Sequence, residues 1–274
     1  MHVIITLGLT CFSFYYTEKV VDFVSMQDPI MKEILKNKDN FEIDAIDAYI
    51  DDDNIIPGVN GTVVDSKESF KKMKKYGKYN ESLYVFNDKE PSISIKDRYD
   101  KYIVSASKEK KKVALIFTID RATNPEDILS ILDSEDVLAT FFIDGLWIEN
   151  NISYVKKIIE EGHQVEILSY NGSYDEFYFS NSLSTLNSLT DTNTKYCYSS
   201  YKNRQFLDLC SKLSLYTIIP SIETNDSSYA IIKSKIENGS LISLTNSSKE
   251  LKMSINYIKH KGYEIFVLDK ILEE

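Results

Sequence analysis

Residues able to hold a metal ion or to form a thiol site are scarce in this chain. The 274 residues include three histidines and three cysteines: His2, His163, His260, Cys11, Cys197 and Cys210. No two cysteines have the Cys-x-x-Cys spacing, which excludes a zinc ribbon and a thioredoxin-type redox motif. A disulfide framework is not expected, because a chain of this length buries a sufficient core without one. A Cys197–Cys210 pair stays open as an alternative.

The composition is that of a soluble globular protein with an acidic surface. Hydrophobic residues make up 43% of the chain, and 42 acidic residues outnumber 32 basic ones, for a formal net charge of −10. Nucleic-acid binding needs clustered Lys and Arg to displace counterions, so the acidic balance argues against a nucleic-acid partner. The dense basic run KEKKK (108–112) is interpreted as a solvated junction between domains.

The first 17 residues, MHVIITLGLTCFSFYYT, contain no Lys, Arg, Asp or Glu. As a helix they would span about 26 Å, slightly less than the bilayer hydrocarbon core of about 30 Å. A cleaved signal peptide is not favoured, because no basic residue precedes the apolar run and the first alanine is Ala45. We therefore predict a single N-terminal anchor in the cell membrane, with the remaining chain outside the cytoplasm. An amphipathic buried helix is the alternative.

Two segments separate this anchor from the C-terminal half of the chain. Residues 18–40 mix charged and apolar residues at helical spacing and are predicted to form a helical connector. Residues 41–107 contain short alternating runs such as FEIDAIDAYI and one helical pattern, SKESFKKMKKYG, which begins at Ser66 and ends at Gly77. This combination predicts a small α+β domain.

From Lys112 onward an apolar run alternates with an amphipathic helical pattern seven times. The runs are VALIFT (113–118), LATFFI (138–143), QVEIL (164–168), KYCY (195–198), LYTIIPSI (215–222), SLISLT (240–245) and EIFVL (264–268). Gly162, Gly239 and Gly262 each end a helical pattern before the next run, as tight loops require. We predict an α/β fold of parallel strands covered by helices, a barrel rather than an open sheet, with its functional site at the carboxyl ends of the strands.

Several stretches of this region resemble one protein family. KKVALIFTID, LATFFIDGLWIEN, VKKIIEEGHQVEILSYNG, NGSLISLTN and KGYEIFVLDKILEE have the order and spacing of the polysaccharide deacetylases of the NodB-homology class. The most specific stretches are ATFFIDG (139–145) and EGHQVEI (161–167), and the resemblance covers residues 111–274. It implies an irregular (β/α) barrel of seven strands. It also implies metal-dependent removal of acetyl groups from N-acetylglucosamine or N-acetylmuramic residues.

The resemblance also implies where that chemistry would need its ligands. The family holds a divalent metal such as zinc with one Asp and two His, and Leu168 and Gly172 occupy the two histidine positions. A catalytic site with open coordination needs three protein ligands, which these residues do not supply. We therefore expect no metal cofactor.

The first family motif allows two registers, and neither retains the metal-binding aspartate. In one register Thr118 and Ile119 replace both aspartates; in the other Asp120 takes the first position and Arg121 replaces the second. The family's acid histidine is replaced by Thr245. Asp120 is the one candidate for a catalytic base.

The strand ends also carry aromatic and hydrogen-bonding residues that suit a sugar or a peptide: Trp147, Tyr170, Asn171, Tyr198 and Thr245. These residues could line a vestigial binding groove, or they could simply pack in the core and at its rim. The predicted function is that of an inactive deacetylase-like protein that binds or scaffolds at peptidoglycan or another cell-wall glycan. Two alternatives stay open: an active N-deacetylase that hydrolyses amide C–N bonds at an atypical site, and a structural partner of another membrane protein.

Overall fold

A computed structural model describes residues 25–120, 123–190, 193–224, 227–244 and 250–274. The strands are β1 (Tyr49–Asp51), β2 (Asn54–Ile56), β3 (Gly61–Val64), β4 (Phe86–Lys89), β5 (Tyr102–Ile103), β6 (Lys112–Ile119), β7 (Thr140–Ile143), β8 (Gln164–Ile167), β9 (Tyr196–Tyr198), β10 (Tyr216–Ile218), β11 (Ile222–Glu223), β12 (Leu241–Leu244) and β13 (Glu264–Phe266). The α-helices are α1 (Pro29–Asn37), α2 (Ser66–Tyr76), α3 (Glu126–Ser134), α4 (Gly145–Asn150), α5 (Ile152–Glu160), α6 (Glu176–Leu189), α7 (Arg204–Lys212), α8 (Ser228–Lys235), α9 (Leu251–His260) and α10 (Leu268–Ile271).

The described chain forms two compact units, a smaller one of residues 25–46 and 60–90 and a larger one of residues 47–59 and 91–274. In the smaller unit, α1 and α2 cover the antiparallel β3–β4 hairpin. The core contains Ile34, Val64, Met73 and Tyr84. The unit does not coincide with the predicted 41–107 domain, because the chain leaves it at residue 47 and returns at residue 60.

The larger unit is built on one open sheet. Seven strands run parallel in the order β10–β9–β8–β7–β6–β12–β11, and β13 pairs with the first residues of β6. All seven apolar runs of the sequence form strands, as predicted. The predicted barrel is a half-barrel: β5, β2 and β1 extend the sheet beyond β10, and the edge strands β1 and β11 do not pair with each other within the described ranges.

Both faces of this sheet are buried, which explains why its strands are continuous apolar runs. Leu115 and Phe117 of β6 pack on the face covered by the larger helices, and the Phe117 and Phe141 rings stack with centroids 5.3 Å apart. Ile116 and Phe142 point to the opposite face, where Leu268 of the C-terminal helix α10 joins them. The helices thus hold the sheet from both sides and fix the positions of its strand ends.

The predicted membrane anchor, residues 1–17, lies outside the described residues. Within the described ranges, no helix combines the length and the apolar character needed to cross a bilayer.

Candidate functional site

The carboxyl ends of β6, β7, β8 and β9 bring together the loops that begin at Asp120, Asp144, Leu168 and Ser199. We call these loops the strand-end edge. Asp120 is exposed there, and its carboxylate accepts a hydrogen bond of 2.9 Å from the Thr123 hydroxyl. Arg121 and Thr245, two of the predicted substitutions, lie outside the described residues. Asp120 is therefore the only residue of its motif that can be placed beyond the end of β6.

The two positions at which the family would have metal-binding histidines are built for packing and for a turn. Leu168 is half-buried and packs against the core cluster that contains Phe142 and Tyr198. Gly172 has a φ of +71° in a turn and donates its backbone N–H to Asp144 Oδ2 at 3.1 Å. Among the described residues no three His, Cys, Asp or Glu side chains converge to hold an ion. The residues present do not fit the family's metal.

Asp144 is a buried carboxylate that organises this edge. It caps α4 by accepting the Leu146 N–H at Oδ1, 3.0 Å away. Its Oδ2 accepts the Ser169 hydroxyl at 2.6 Å as well as the Gly172 N–H. The same carboxylate thus caps α4 and fixes the loop after β8.

Two of the predicted groove residues are buried. Trp147 lies in the main core, with its ring edge-on to Tyr154 at 6.0 Å. The Tyr198 hydroxyl lies 2.9 Å from Ser243 Oγ and donates to Glu223 Oε1 at 3.3 Å. Burial raises the pKa of the Tyr198 phenol to about 12, so it stays protonated. Neither ring presents a face to solvent at the strand-end edge.

Tyr170 and Asn171 stand at the surface of the same edge. The Tyr170 hydroxyl donates to Glu149 Oε2 at 3.3 Å, and its ring stacks on Tyr178 with centroids 5.0 Å apart. Asn171 is exposed, with a φ of +53°, a conformation that Asn tolerates better than most residues. Thr245, the last predicted groove residue, is outside the described ranges.

Tyr170 was predicted as a groove residue, whereas four further aromatic side chains at the same edge were not. We call the five together the aromatic rim: Tyr170, Tyr174, Phe177, Tyr178 and Tyr201. Phe177 and Tyr201 are the most open of these, with 68% and 65% of their surface exposed. Tyr174 packs on the buried Phe206 with centroids 4.1 Å apart. The signal in the sequence was the aromatic-rich run YNGSYDEFYF, but Tyr170, Tyr174, Phe177 and Tyr178 have the spacing of a helical core stripe, whereas the helix begins only at Glu176.

Comparison with known proteins supports the likeness read from the motifs. Residues 105–199 match the family model described as polysaccharide deacetylase. This stretch is similar to a polysaccharide deacetylase domain. The predicted resemblance is confirmed, and the sheet of the larger unit is the curled half-barrel expected of this class.

Relatives extend the likeness over most of the chain. The Bacillus subtilis (strain 168) protein YlxY, described as uncharacterised, is 26% identical over 276 residues, which cover 93% of this chain and 86% of YlxY. The crystal structure of wild-type BA3943 from Bacillus anthracis, described as a CE4 family pseudoenzyme, has a TM-score of 0.69 at 24% identity, covering 90% of this chain and 96% of that one. A BA3943 mutant described as having restored enzymatic activity has the same TM-score and identity, with 99% of its chain covered. The structural likeness establishes the fold.

A second cluster of polar side chains lies in the larger unit at the opposite, starting ends of the strands. Glu166 and His163 line a cavity of about 150 Å³ there together with Asp269. Glu166 Oε2 accepts the N–H groups of Lys195 and Tyr196 at 2.8 and 2.9 Å. Burial raises the pKa of Glu166 to about 8, and burial lowers the pKa of His163 to about 4. Asp269 adds a smaller upward shift to Glu166 and itself pairs with Lys195.

These two groups make opposite contributions to the pH dependence of stability. The raised pKa of Glu166 contributes stability that is complete below about pH 4.5 and is lost as the pH rises through about 8. The lowered pKa of His163 contributes stability that is present above about pH 6.5 and is lost as the pH falls through about 4. The two slopes therefore oppose each other from about pH 4.5 to 6.5, and only the Glu166 slope remains from about pH 6.5 to 8.

We predict a free energy of unfolding that is nearly level from about pH 4.5 to 6.5 and then falls by about 1.4 kcal/mol per pH unit up to about pH 8. Urea unfolding across this range measures it. In Glu166→Gln the fall above about pH 6.5 should disappear, leaving the rise due to His163 at lower pH. A decline of the same slope in this variant would assign the effect to another group.

The deacetylase fold also brings Cys197 of β9 and Cys210 of α7 together in a disulfide, with Cα atoms 6.4 Å apart. Both cysteines are fully buried. This is the pair that the sequence left open as an alternative, and it is a single bond and not a disulfide framework. The turn between β9 and α7 sets the distance, and the sequence spacing of 13 residues does not reveal it.

Proposed function

We propose that the chain is a membrane-anchored deacetylase-like protein that has lost catalysis and binds or scaffolds at a cell-wall glycan outside the cytoplasm. The observation that carries the proposal is the strand-end edge. Leu168 and Gly172 stand where metal-binding histidines belong, while exposed aromatic rings surround the same loops. A protein that keeps the fold, loses the ligands and presents aromatic surface is suited to binding rather than to hydrolysis.

The described relatives support the loss of catalysis. The BA3943 structure has the same fold and is described as a pseudoenzyme, and its mutant is described as having restored activity. Both descriptions fit a protein that keeps the fold after its catalytic residues have been replaced. In this chain the replacement of both imidazole positions is the corresponding change.

A glycan is the ligand class that best suits the aromatic rim. Tyrosine and phenylalanine rings offer broad apolar faces with little side-chain entropy to lose, which suits the C–H faces of sugar rings. Tyr170 and Tyr178 are already ordered by stacking on each other, and Tyr174 by packing on Phe206. The rim thus needs little rearrangement to receive a flat ligand.

The proposed location outside the cytoplasm draws support from the buried Cys197–Cys210 disulfide. Such bonds persist in oxidising compartments and are rare in the cytosol of mesophiles. The apolar, uncharged segment 1–17 remains the predicted anchor.

The test is binding of the full chain to purified peptidoglycan. We expect the wild-type chain to sediment with it, and Phe177→Ala/Tyr201→Ala to bind about tenfold more weakly, because two exposed ring faces are removed. Tyr49→Ala is the matched control, since Tyr49 is 64% exposed but lies on β1, four positions from β9 in the strand order of the sheet. This control should bind like the wild type.

Other outcomes select the alternatives. Release of acetate from peptidoglycan in the presence of Zn²⁺, abolished by Asp120→Ala, would replace the proposal with an active enzyme that uses Asp120 as its base. An absence of glycan binding by the wild-type chain would favour a structural partner of another membrane protein.

A further inference from the structure

The smaller unit carries a cationic surface on α2 that neither the fold family nor the proposed glycan site accounts for. The unit's described residues contain ten lysines and ten carboxylates, so the whole chain's acidic excess lies outside it. Within Asp65–Lys78, however, six lysines stand against two carboxylates. The charged residues of the smaller unit are therefore unevenly distributed, and α2 carries an excess of positive charge.

The helix places most of these lysines on one side. Met73 and Ser69 point into the core, while the exposed lysines fill the opposite arc: Lys67, Lys71, Lys72, Lys74, Lys75 and, just after the helix, Lys78. We call this arc the lysine face. Its one acidic member, Glu68, is already paired with Lys71, and the cap residue Asp65 accepts backbone N–H groups.

Two of these lysine side chains form no ion pair in the described parts of the chain. Lys74 is paired with Asp28, whereas Lys72 and Lys75 have no carboxylate within 4.0 Å in the described parts of the chain. Tyr76 is 55% exposed at the end of the same face, with Lys78 Nζ 5.8 Å from its ring centroid. Exposed lysines next to an exposed tyrosine are typical of surfaces that meet lipid headgroups.

We propose that the lysine face of α2 docks on an anionic lipid bilayer. Clusters of four to eight basic residues beside a membrane bind acidic lipids by Coulomb attraction, which is additive over the lysines. Asp28, at the start of α1, binds Lys74, so the first described residues of the smaller unit lie beside this face. A segment anchored upstream would keep the face near the membrane surface. The inference does not depend on glycan binding at the strand-end edge.

Lysine footprinting of the full chain tests this docking. The chain is mixed with vesicles of neutral phosphatidylcholine or with vesicles containing about 30 mol% phosphatidylglycerol, and acetylation of each lysine is followed by mass spectrometry. We expect labelling of Lys72, Lys75 and Lys78 to fall only with the anionic vesicles and to recover in about 0.5 M NaCl. The exposed lysines Lys156 and Lys235 of the larger unit report non-specific protection.

A variant with reversed charges provides a second test of the docking. Lys72→Glu/Lys75→Glu/Lys78→Glu should bind anionic vesicles at least about tenfold more weakly than the wild type, with unchanged binding to neutral vesicles. Glutamate keeps the helix propensity of lysine, so α2 should persist. The matched control Lys156→Glu/Lys235→Glu/Lys261→Glu makes the same charge change in the larger unit. The proposal would be overturned if Lys72, Lys75 and Lys78 were labelled equally with both vesicle types. It would also be overturned if the control variant lost as much affinity for anionic vesicles.

Discussion

Asp144→Ala should lower the free energy of unfolding by about 3 kcal/mol, because it removes one buried acceptor from three donors at once. The donors are the N–H groups of Leu146 and Gly172 and the hydroxyl of Ser169. Without the carboxylate, the start of α4 loses its cap and the loop after β8 loses its tie to β7. Urea unfolding measures the loss of stability.

The chain offers a direct probe of the local effect. Its single tryptophan, Trp147, is buried on α4 three residues after Asp144. Fraying of this helix should therefore shift the tryptophan emission of native Asp144→Ala to longer wavelength. Asp144→Asn keeps one acceptor oxygen and should cost about half as much. Asp120→Ala, an exposed carboxylate at the same edge, is the control, expected within about 0.5 kcal/mol of the wild type. If Asp144→Ala also lost no more than about 0.5 kcal/mol of stability, water would be satisfying the three donors in that variant.

The parts of the fold that the sequence predicted are those with strong periodic signals. The seven apolar strands, the helices around Val155 and Ile255, and the left-handed glycines 162, 239 and 262 all lie where the pattern placed them. Each of these signals depends on local burial or on a backbone conformation. Both restrict the residue types at nearby positions, so they can be recognised in the sequence.

The parts that were missed depend on contacts distant in sequence. Strand β5 has only two residues, Tyr102 and Ile103, and its membership in the sheet comes from pairing with β10, more than a hundred residues away. Two residues are too few to show alternation, so this segment was assigned to the wrong unit. The buried position of Tyr198 is of the same kind, since Ser243 and Glu223 reach it from other strands.

The lysine face was missed for a different reason. Its lysines are interrupted by Ser69, Phe70 and Met73, so the linear run looks like an ordinary amphipathic helix, and KEKKK drew attention as the denser cluster. Only the helix geometry gathers them on one side. Charge density along a sequence is therefore a poor guide to charge density on a surface when the residues are helical.

The Cys197–Cys210 bond should contribute about 3 kcal/mol to stability, since it closes a loop of about fifteen residues in the unfolded chain. Equilibrium unfolding in urea with and without a strong thiol reductant measures this contribution. Cys197→Ala/Cys210→Ala provides the control for lost packing, because its stability should not respond to the reductant at all. A wild-type chain equally indifferent to reductant would mean that the two thiols are not joined.

The same pair reports the compartment in which the chain folds. Cells are denatured in the presence of a first alkylating agent, which then reaches the buried thiols, and a second, distinguishable agent is added after reduction; mass spectrometry separates free from bonded thiols. For a domain outside the cytoplasm, Cys197 and Cys210 should carry only the second label, because glutathione and thioredoxin keep such pairs reduced in the cytosol. If both cysteines take up the first label on denaturation before reduction, the disulfide does not form in the cell. The proposed location would then lose its main chemical support, while the binding proposed for the aromatic rim would stand unaffected.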